Sequence, residues 1–271
     1  MRWASVDVTV GRGPLPVPAR MAGFRYRSAA PVDLAMIAHP AVTLLFDLSG
    51  ALVHDTPGGR RHGDLVVGPL PGPVRLCGRG PGEVLQVRLA PGVAAGVVGD
   101  PLAGTIVAPA DLWGRDAALL TERLQATGSW PERFALVAGF LAARSVHRGV
   151  DPEVAHVWRR MLRTGGRARV GDLAAEVGWS RRRLWQRHRA QLGATPKQAA
   201  RLIRFDRAAH LLAAGRSPAV VAALGGYADQ SHLHRDTREF SGLTPAGVAA
   251  APWLAIDDVA WPHRISSGSG G

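Results

Sequence analysis

The chain has 271 residues, 46 % of them hydrophobic, and a formal net charge of +12. That length suffices for two domains with real cores, which excludes wholesale disorder. The charge is uneven: residues 1–125 are close to neutral at +2, whereas residues 126–271 carry +10, so the second half is the one expected to meet a polyanion.

A basic membrane-surface protein would fit the same charge, so charge alone decides little. Nearly all of it is arginine, with Lys197 the only lysine. A GC-rich genome produces the same bias, so arginine content by itself argues little for DNA. Cys77 is the only cysteine, which excludes an intramolecular disulfide and any cysteine-based zinc site. The first residues lack the apolar run of a signal peptide, and no stretch of about 18 apolar residues occurs. A cytoplasmic protein with no membrane partner is the expectation.

Residues 1–110 are dense in Gly and Pro, with short β-prone runs at Val42–Leu48, Asp64–Val67 and Glu83–Leu89. In the last, Val84, Gln86 and Arg88 alternate with Leu85, Val87 and Leu89, the period of a strand. Turn signals at Thr56–Gly59 and Pro69–Pro73 separate the runs. Many short strands with frequent turns predict a small sandwich or barrel. His39, His54, Asp55 and His62 are scattered and form no H-x-H pair, so no metal site and no cofactor are expected. Cys77 reads as a buried, inert thiol rather than a redox switch. Arg75, Arg79 and Arg88 lie near the last strand, where they either meet an acidic effector or face solvent.

Residues 111–150 change to helical spacing. Asp111–Leu124 places Leu112, Leu119, Leu120 and Leu124 on one side. Pro131–Arg144 starts with a proline suited to a first helical turn and aligns Phe134, Val137, Ala138 and Leu141. These helices are read as a link between the halves or an oligomerisation region, with simple packing the plainer role.

From residue 151 to 250 the pattern is helical throughout, over Pro152–Arg163, Val170–Val177, Arg181–Gln191, Pro196–Ala214, Pro218–Leu224 and Gln230–Phe240. Two segments share one plan. In the first, a short apolar helix stops at Gly178, Trp179 follows, and Ser180 caps a basic helix with Leu184 and His188 inward. In the second, a short apolar helix stops at Gly225–Gly226, Tyr227 follows, and Asp229 caps a helix with Leu233 and Thr237 inward. The repeat is 48 residues, and the amphipathic segment Pro196–Ala214 lies between. A short helix, a glycine turn and a polar second helix form a helix-turn-helix. Residues 251–271 are a tail ending in the low-complexity Ser266–Gly271.

The run GYADQSHLHRDTREFSGLTP (Gly226–Pro245) closely resembles the second helix-turn-helix of the AraC/XylS family of transcription regulators. GATPKQAARLIRFDRAAHLL (Gly193–Leu212) resembles its linker helix. The resemblance covers about 100 residues, Pro152 to Ala250. It implies an α+β chain: a small β-barrel or cupin-like sensor domain with helices, then an all-α double helix-turn-helix domain. It also implies a non-enzymatic, sequence-specific regulator reading two adjacent major-groove segments. Carried over by position, the base readers are Arg182, Trp185 and Gln186 in the first unit, and Gln230, Ser231, His234 and Arg235 in the second. Arg181, Arg189, Arg201, Arg204 and Arg238 become phosphate contacts. The implied partners are double-stranded DNA, RNA polymerase, a small-molecule effector and a second copy of the chain (a homodimer).

The chain departs from the family pattern at His188 and Thr237, where an inward aromatic is usual, and at Val248, where a tyrosine is common. Two other readings stand beside the regulator. One is a β-barrel enzyme or metal protein with an accessory DNA-binding module. The other is an architectural DNA protein with little sequence preference.

Overall fold

The computed structural model describes residues 6–11, 19–27, 32–50, 52–56, 58–69, 74–78, 81–99, 102, 104–145, 150–251 and 260–261. Arg79, most of Pro69–Pro73 and the Ser266–Gly271 tail lie outside the described residues. Among the described residues, the first half holds ten strands: β1 (Val6–Val10), β2 (Ala19–Tyr26), β3 (Val32–Met36), β4 (Val42–Asp47), β5 (Leu52–Thr56), β6 (Gly59–His62), β7 (Leu65–Val67), β8 (Val74–Gly78), β9 (Gly82–Leu89) and β10 (Ile106–Val107). They form a six-stranded sheet, β1-β2-β9-β4-β7-β10, and a four-stranded sheet, β3-β8-β5-β6. Sequence reasoning left sandwich and barrel open. The strands fall into two separate sheets, so the barrel is not closed.

Period-two alternation sorts the large sheet's side chains between two interiors. Tyr26, Leu45, Leu65, Val67 and Val84 point toward Leu52 and Leu76 of the small sheet. Their strand neighbours Leu44, Phe46, Val66, Leu85 and Val87 point the other way and meet helices. Those helices are α1 (Pro91–Val98), α3 (Arg115–Ala126) and α4 (Trp130–Arg144), with the short α2 (Pro109–Trp113) ahead of α3. The alternation read in Glu83–Leu89 is the one observed.

The expected helix Asp111–Leu124 is instead two helices. Gly114, at φ 54° and ψ −133°, ends α2 and begins α3, a conformation that favours glycine. The break turns Leu119 outward, 44 % exposed, while Ala117, Leu120 and Leu124 face the sheet. In α4 the stripe of Phe134, Val137 and Leu141 is buried as read.

Arg133 of α4 is only 4 % exposed. Its Nη1 donates to Glu83 Oε2 at 2.6 Å and its Nε to Leu124 O at 3.1 Å, tying α4 to both β9 and α3. Burial pushes the Glu83 carboxyl up, but the bonds from Arg25 and Arg133 outweigh it and hold the group below the usual range.

The second half is helical: α5 (Pro152–Arg163), α6 (Val170–Glu176), α7 (Arg181–Leu192), α8 (Pro196–Ala213), α9 (Pro218–Gly225), α10 (Gln230–Ser241) and α11 (Pro245–Ala249). Near the end of the chain, Trp261 is buried against Ala22 of β2.

The helical layer rests on the sheet through a close approach at Gly23. A Cβ there would lie 2.3 Å from the Trp130 ring. Gly23→Ala should displace α4 and cost about 1–3 kcal/mol, the usual range for overpacking. Chemical denaturation of the full chain checks this, and an unchanged midpoint would show that Trp130 moves aside freely.

Candidate nucleic-acid interface

Both short helices of the repeat end in the same hydrogen-bonded turn. Trp179 N donates to Ala174 O at 2.9 Å and Gly178 N to Ala175 O at 3.1 Å. Forty-eight residues on, Tyr227 N donates to Ala222 O at 3.0 Å and Gly226 N to Ala223 O at 3.4 Å. These are the paired bonds of a Schellman motif, whose penultimate residue takes a left-handed conformation. Gly178 and Gly226 supply it, at φ 67° and 70°. The following helices start on side-chain caps: Ser180 Oγ accepts from Arg183 N at 3.2 Å, and Asp229 Oδ1 from His232 N at 2.7 Å.

The second helix of each unit buries one face and bares the other. In α7, Leu184, His188 and Leu192 are buried, whereas Arg181, Arg182, Trp185, Gln186 and Arg189 are exposed. In α10, Leu233, Thr237 and Phe240 are buried, whereas Gln230, Ser231, His234, Arg235 and Arg238 are exposed. Trp185 is 45 % exposed, unusual for so large an apolar ring, and the Arg189 guanidinium lies 5.4 Å from its centroid.

Arg201 and Arg204 depart from the other expected phosphate contacts. Arg201 Nη2 donates to Asp236 Oδ1 at 2.7 Å and to Glu239 Oε2 at 2.6 Å, joining α8 to α10. The Asp236 carboxylate is 2 % exposed, so this arginine neutralises a buried charge. Burial opposes the charged guanidinium, but the two carboxylates prevail and raise its pKa. Arg204 Nη2 reaches Gly166 O at 3.4 Å, and its guanidinium lies 5.4 Å from the Tyr227 ring.

Sequence reasoning passed over Lys197. It stands exposed on the first turn of α8 and lines, with His232 and Arg235, a groove of about 510 Å³ beside α10. The available signal was a cation at the start of a helix just after the Thr195 cap, where backbone N–H groups already favour anions.

The unusual inward residues have local explanations. His188 is fully buried, and its Nδ1–H donates to Ala194 O at 2.6 Å, fastening α7 to the turn before α8. Thr237 Oγ1 donates to Leu233 O at 2.7 Å within α10. Val248 is fully buried in the second unit's core.

The scattered histidines of the first half do not converge. His54 Nε2 bonds Gly63 O at 2.8 Å, and His39 bonds Arg88 and Asp206. Among the described residues, no group of three or more His, Cys, Asp or Glu side chains is placed to hold a metal ion.

Burial holds the His188 pKa below its ordinary value of about 6.5, and His54 shifts the same way. A histidine lowered by folding contributes stability that is complete above the unfolded pKa and is lost as pH falls below it. Stability should therefore decline below about pH 6.5, and His188→Phe should lose part of that decline in denaturation measured across pH. An unchanged slope would remove His188 from the account. Separately, Arg201→Ala strands the buried Asp236 carboxylate and should cost about 1–3 kcal/mol. The double variant Arg201→Met with Asp236→Asn should recover part of this in the same measurement.

Residues 173–251 match the family model for a helix-turn-helix domain. The match begins inside α6, whereas the sequence resemblance was drawn from Pro152. The earlier α5 still belongs to the first unit's core through Val154, Val157, Trp158 and Met161. No curated protein matches the chain. Among solved structures, it is similar to ToxT from Vibrio cholerae O395, at 11 % identity and a TM-score of 0.50, over 86 % of this chain and 97 % of that one. It is also similar to ToxT bound to (E)-4-(8-methylnaphthalen-1-yl)but-3-enoic acid, at 12 % identity and a TM-score of 0.50, over 91 % and 99 %. A transcriptional regulator from Chromobacterium violaceum with an AraC-type DNA-binding domain aligns at 24 % identity and a TM-score of 0.36, over 38 % of this chain and 93 % of that one. The chain carries an AraC-type helix-turn-helix domain at residues 173–251 within a ToxT-like fold, and it is a DNA-binding transcription regulator.

Proposed function

We propose that α7 and α10 enter successive major-groove segments on one face of the duplex and read two adjacent elements as a single bipartite site. The observation that carries this is the sharing of α8. Its residues Ala199, Ala200 and Ile203 complete the core of the first unit. Leu202, Phe205, Ala209 and Leu212 complete that of the second. One continuous helix of 18 residues, about 27 Å long, thus supports both exposed faces.

The proposed base readers are Arg182, Trp185 and Gln186 on α7, and Gln230, Ser231, His234 and Arg235 on α10. Arginine suits guanine and glutamine suits adenine in the major groove. Arg181, Arg189, Arg238 and Lys197 are proposed as phosphate contacts, which position without specifying. Arg201 leaves that group, because its Nη donors are held by Asp236 and Glu239, and so does Arg204, whose guanidinium turns to Gly166 O and the Tyr227 ring.

The β-rich residues 1–110 are proposed as a regulatory domain, residues 111–150 as a helical link, and residues 151–250 as the DNA-binding domain. The fold shared with ToxT, which has been solved with an alkenoic acid, supports a small-molecule effector here. A small cavity of about 20 Å³, room for one water, lies beside Met36–His39. RNA polymerase, a second copy of the chain and a cytoplasmic setting complete the proposal, and no catalytic step is assigned.

Selection of bound duplexes from a random pool tests this. The expected product is a motif of two elements about 10 base pairs apart, one helical turn. Gln230→Ala and Arg235→Ala should each cost about 1–3 kcal/mol and relax preference within one element. An unchanged profile for Arg235→Ala would remove α10 as a reader. Similar affinity for all duplexes, with a steep salt dependence, would favour the architectural reading.

A further inference from the structure

The residues that leave β3 do not stay with the sheets. Ile37 and Ala38 are 5 % and 3 % exposed, and they belong to the apolar cluster formed by Phe205, Leu212, Leu233 and Phe240 of the second unit. Ala38 N donates to Phe240 O at 3.0 Å. Phe240 lies in the last turn of α10, where carbonyls have no donor within the helix. An amide from the β-rich half therefore satisfies the C-terminal end of the second recognition helix.

The next residue extends the attachment to α8. Arg88 Nη2 on β9 donates to His39 Nε2 at 2.8 Å. An Nε2 that accepts leaves the proton on Nδ1, which donates to Asp206 Oδ1 of α8 at 2.9 Å. His39 and Asp206 side chains are 10 % and 14 % exposed, so the bonds are largely shielded from water. Arg88 is also seated over the Trp261 ring, 4.3 Å from its centroid. The first unit meets the β-rich half differently, by packing of Gly92 over Val150 and Leu192.

We infer that Ile37–His39 is a positioning element of the second reading unit, through which the β-rich half sets how α10 is held against α8. The inference rests on the two-unit reading proposed above. The contact is specific to the second unit: a change in β3 reaches α10 through hydrogen bonds and shared core, whereas α7 meets the β-rich half through α1, at Gly92 and Leu192. None of these residues lies on an exposed recognition face, so their effect on DNA is exerted through α8 and α10.

The test uses the full chain with His39→Ala, Ile37→Ala and His39→Gln, whose amide can both accept from Arg88 and donate to Asp206. Binding is measured on the selected two-element duplex and on duplexes with either element scrambled, with amide exchange followed in the last turn of α10. His39→Ala and Ile37→Ala should each weaken the intact duplex about tenfold, within the usual range of coupling between sites. The loss should vanish when the α10 element is scrambled and persist when the α7 element is. Exchange in the last turn of α10 should accelerate, and His39→Gln should restore both readouts. Wild-type binding and exchange in both alanine variants, or an equal loss at both elements, would overturn the inference. If the wild type discriminates neither element, the two-unit reading fails, and exchange in α10 alone decides: acceleration supports the positioning role and unchanged rates overturn it.

Discussion

The DNA-binding half depends on α8 serving two hydrophobic cores at once. An isolated helix-turn-helix of three short segments buries little apolar area and would be marginal alone. Here each unit borrows a different set of residues from the same helix, Ile203 for the first and Phe205 for the second among them. The two units therefore share stability, and a helix rigid over 18 residues prevents independent tumbling. A reader of two groove segments needs that fixed spacing, because flexible tethering would lose orientation entropy on binding.

Around this strut, polar groups fix details that apolar packing leaves loose. The Thr195–Gln198 capping box starts α8 in a defined direction. His188 secures the turn that enters it, and Arg201 holds α10 against it through Asp236 and Glu239. Each of these is a directional bond next to an apolar contact that would tolerate sliding. The departures at His188 and Thr237 are compatible with a well-packed module because each polar side chain bonds a nearby backbone carbonyl.

The β-rich half is built on a different logic. Its large sheet is covered on both faces, by the small sheet and by α1, α3 and α4. Its strands therefore bury side chains on both sides, and β4 is buried along its whole length. Charge enters where elements must be registered, as at Arg133 and Glu83. The contact at Ile37–His39 is a direct structural route from this half to α8 and α10.

The local signals were legible from sequence alone. A glycine followed by an aromatic ends each short helix through bonds spanning five residues, and Ser180 and Asp229 cap their helices through bonds spanning three. Such interactions are encoded within one turn of chain, so the two helix-turn-helix units, their inward residues and their exposed faces could be read directly. The strand period in Glu83–Leu89 was legible for the same reason. The sheet order β1-β2-β9-β4-β7-β10 was not, because it pairs segments far apart in the chain, as Tyr26 with Gly82. Nor could sequence separate Arg201 from the exposed arginines, since Asp236 is 35 residues away and only packing of α10 on α8 brings the charges together. The break at Gly114 needed the sheet to show which face of α3 is buried. The attachment of Ala38 and His39 to α10 and α8, across up to about 200 residues, belongs wholly to tertiary structure: no local pattern records which distant carbonyl or carboxylate a buried amide or imidazole will meet.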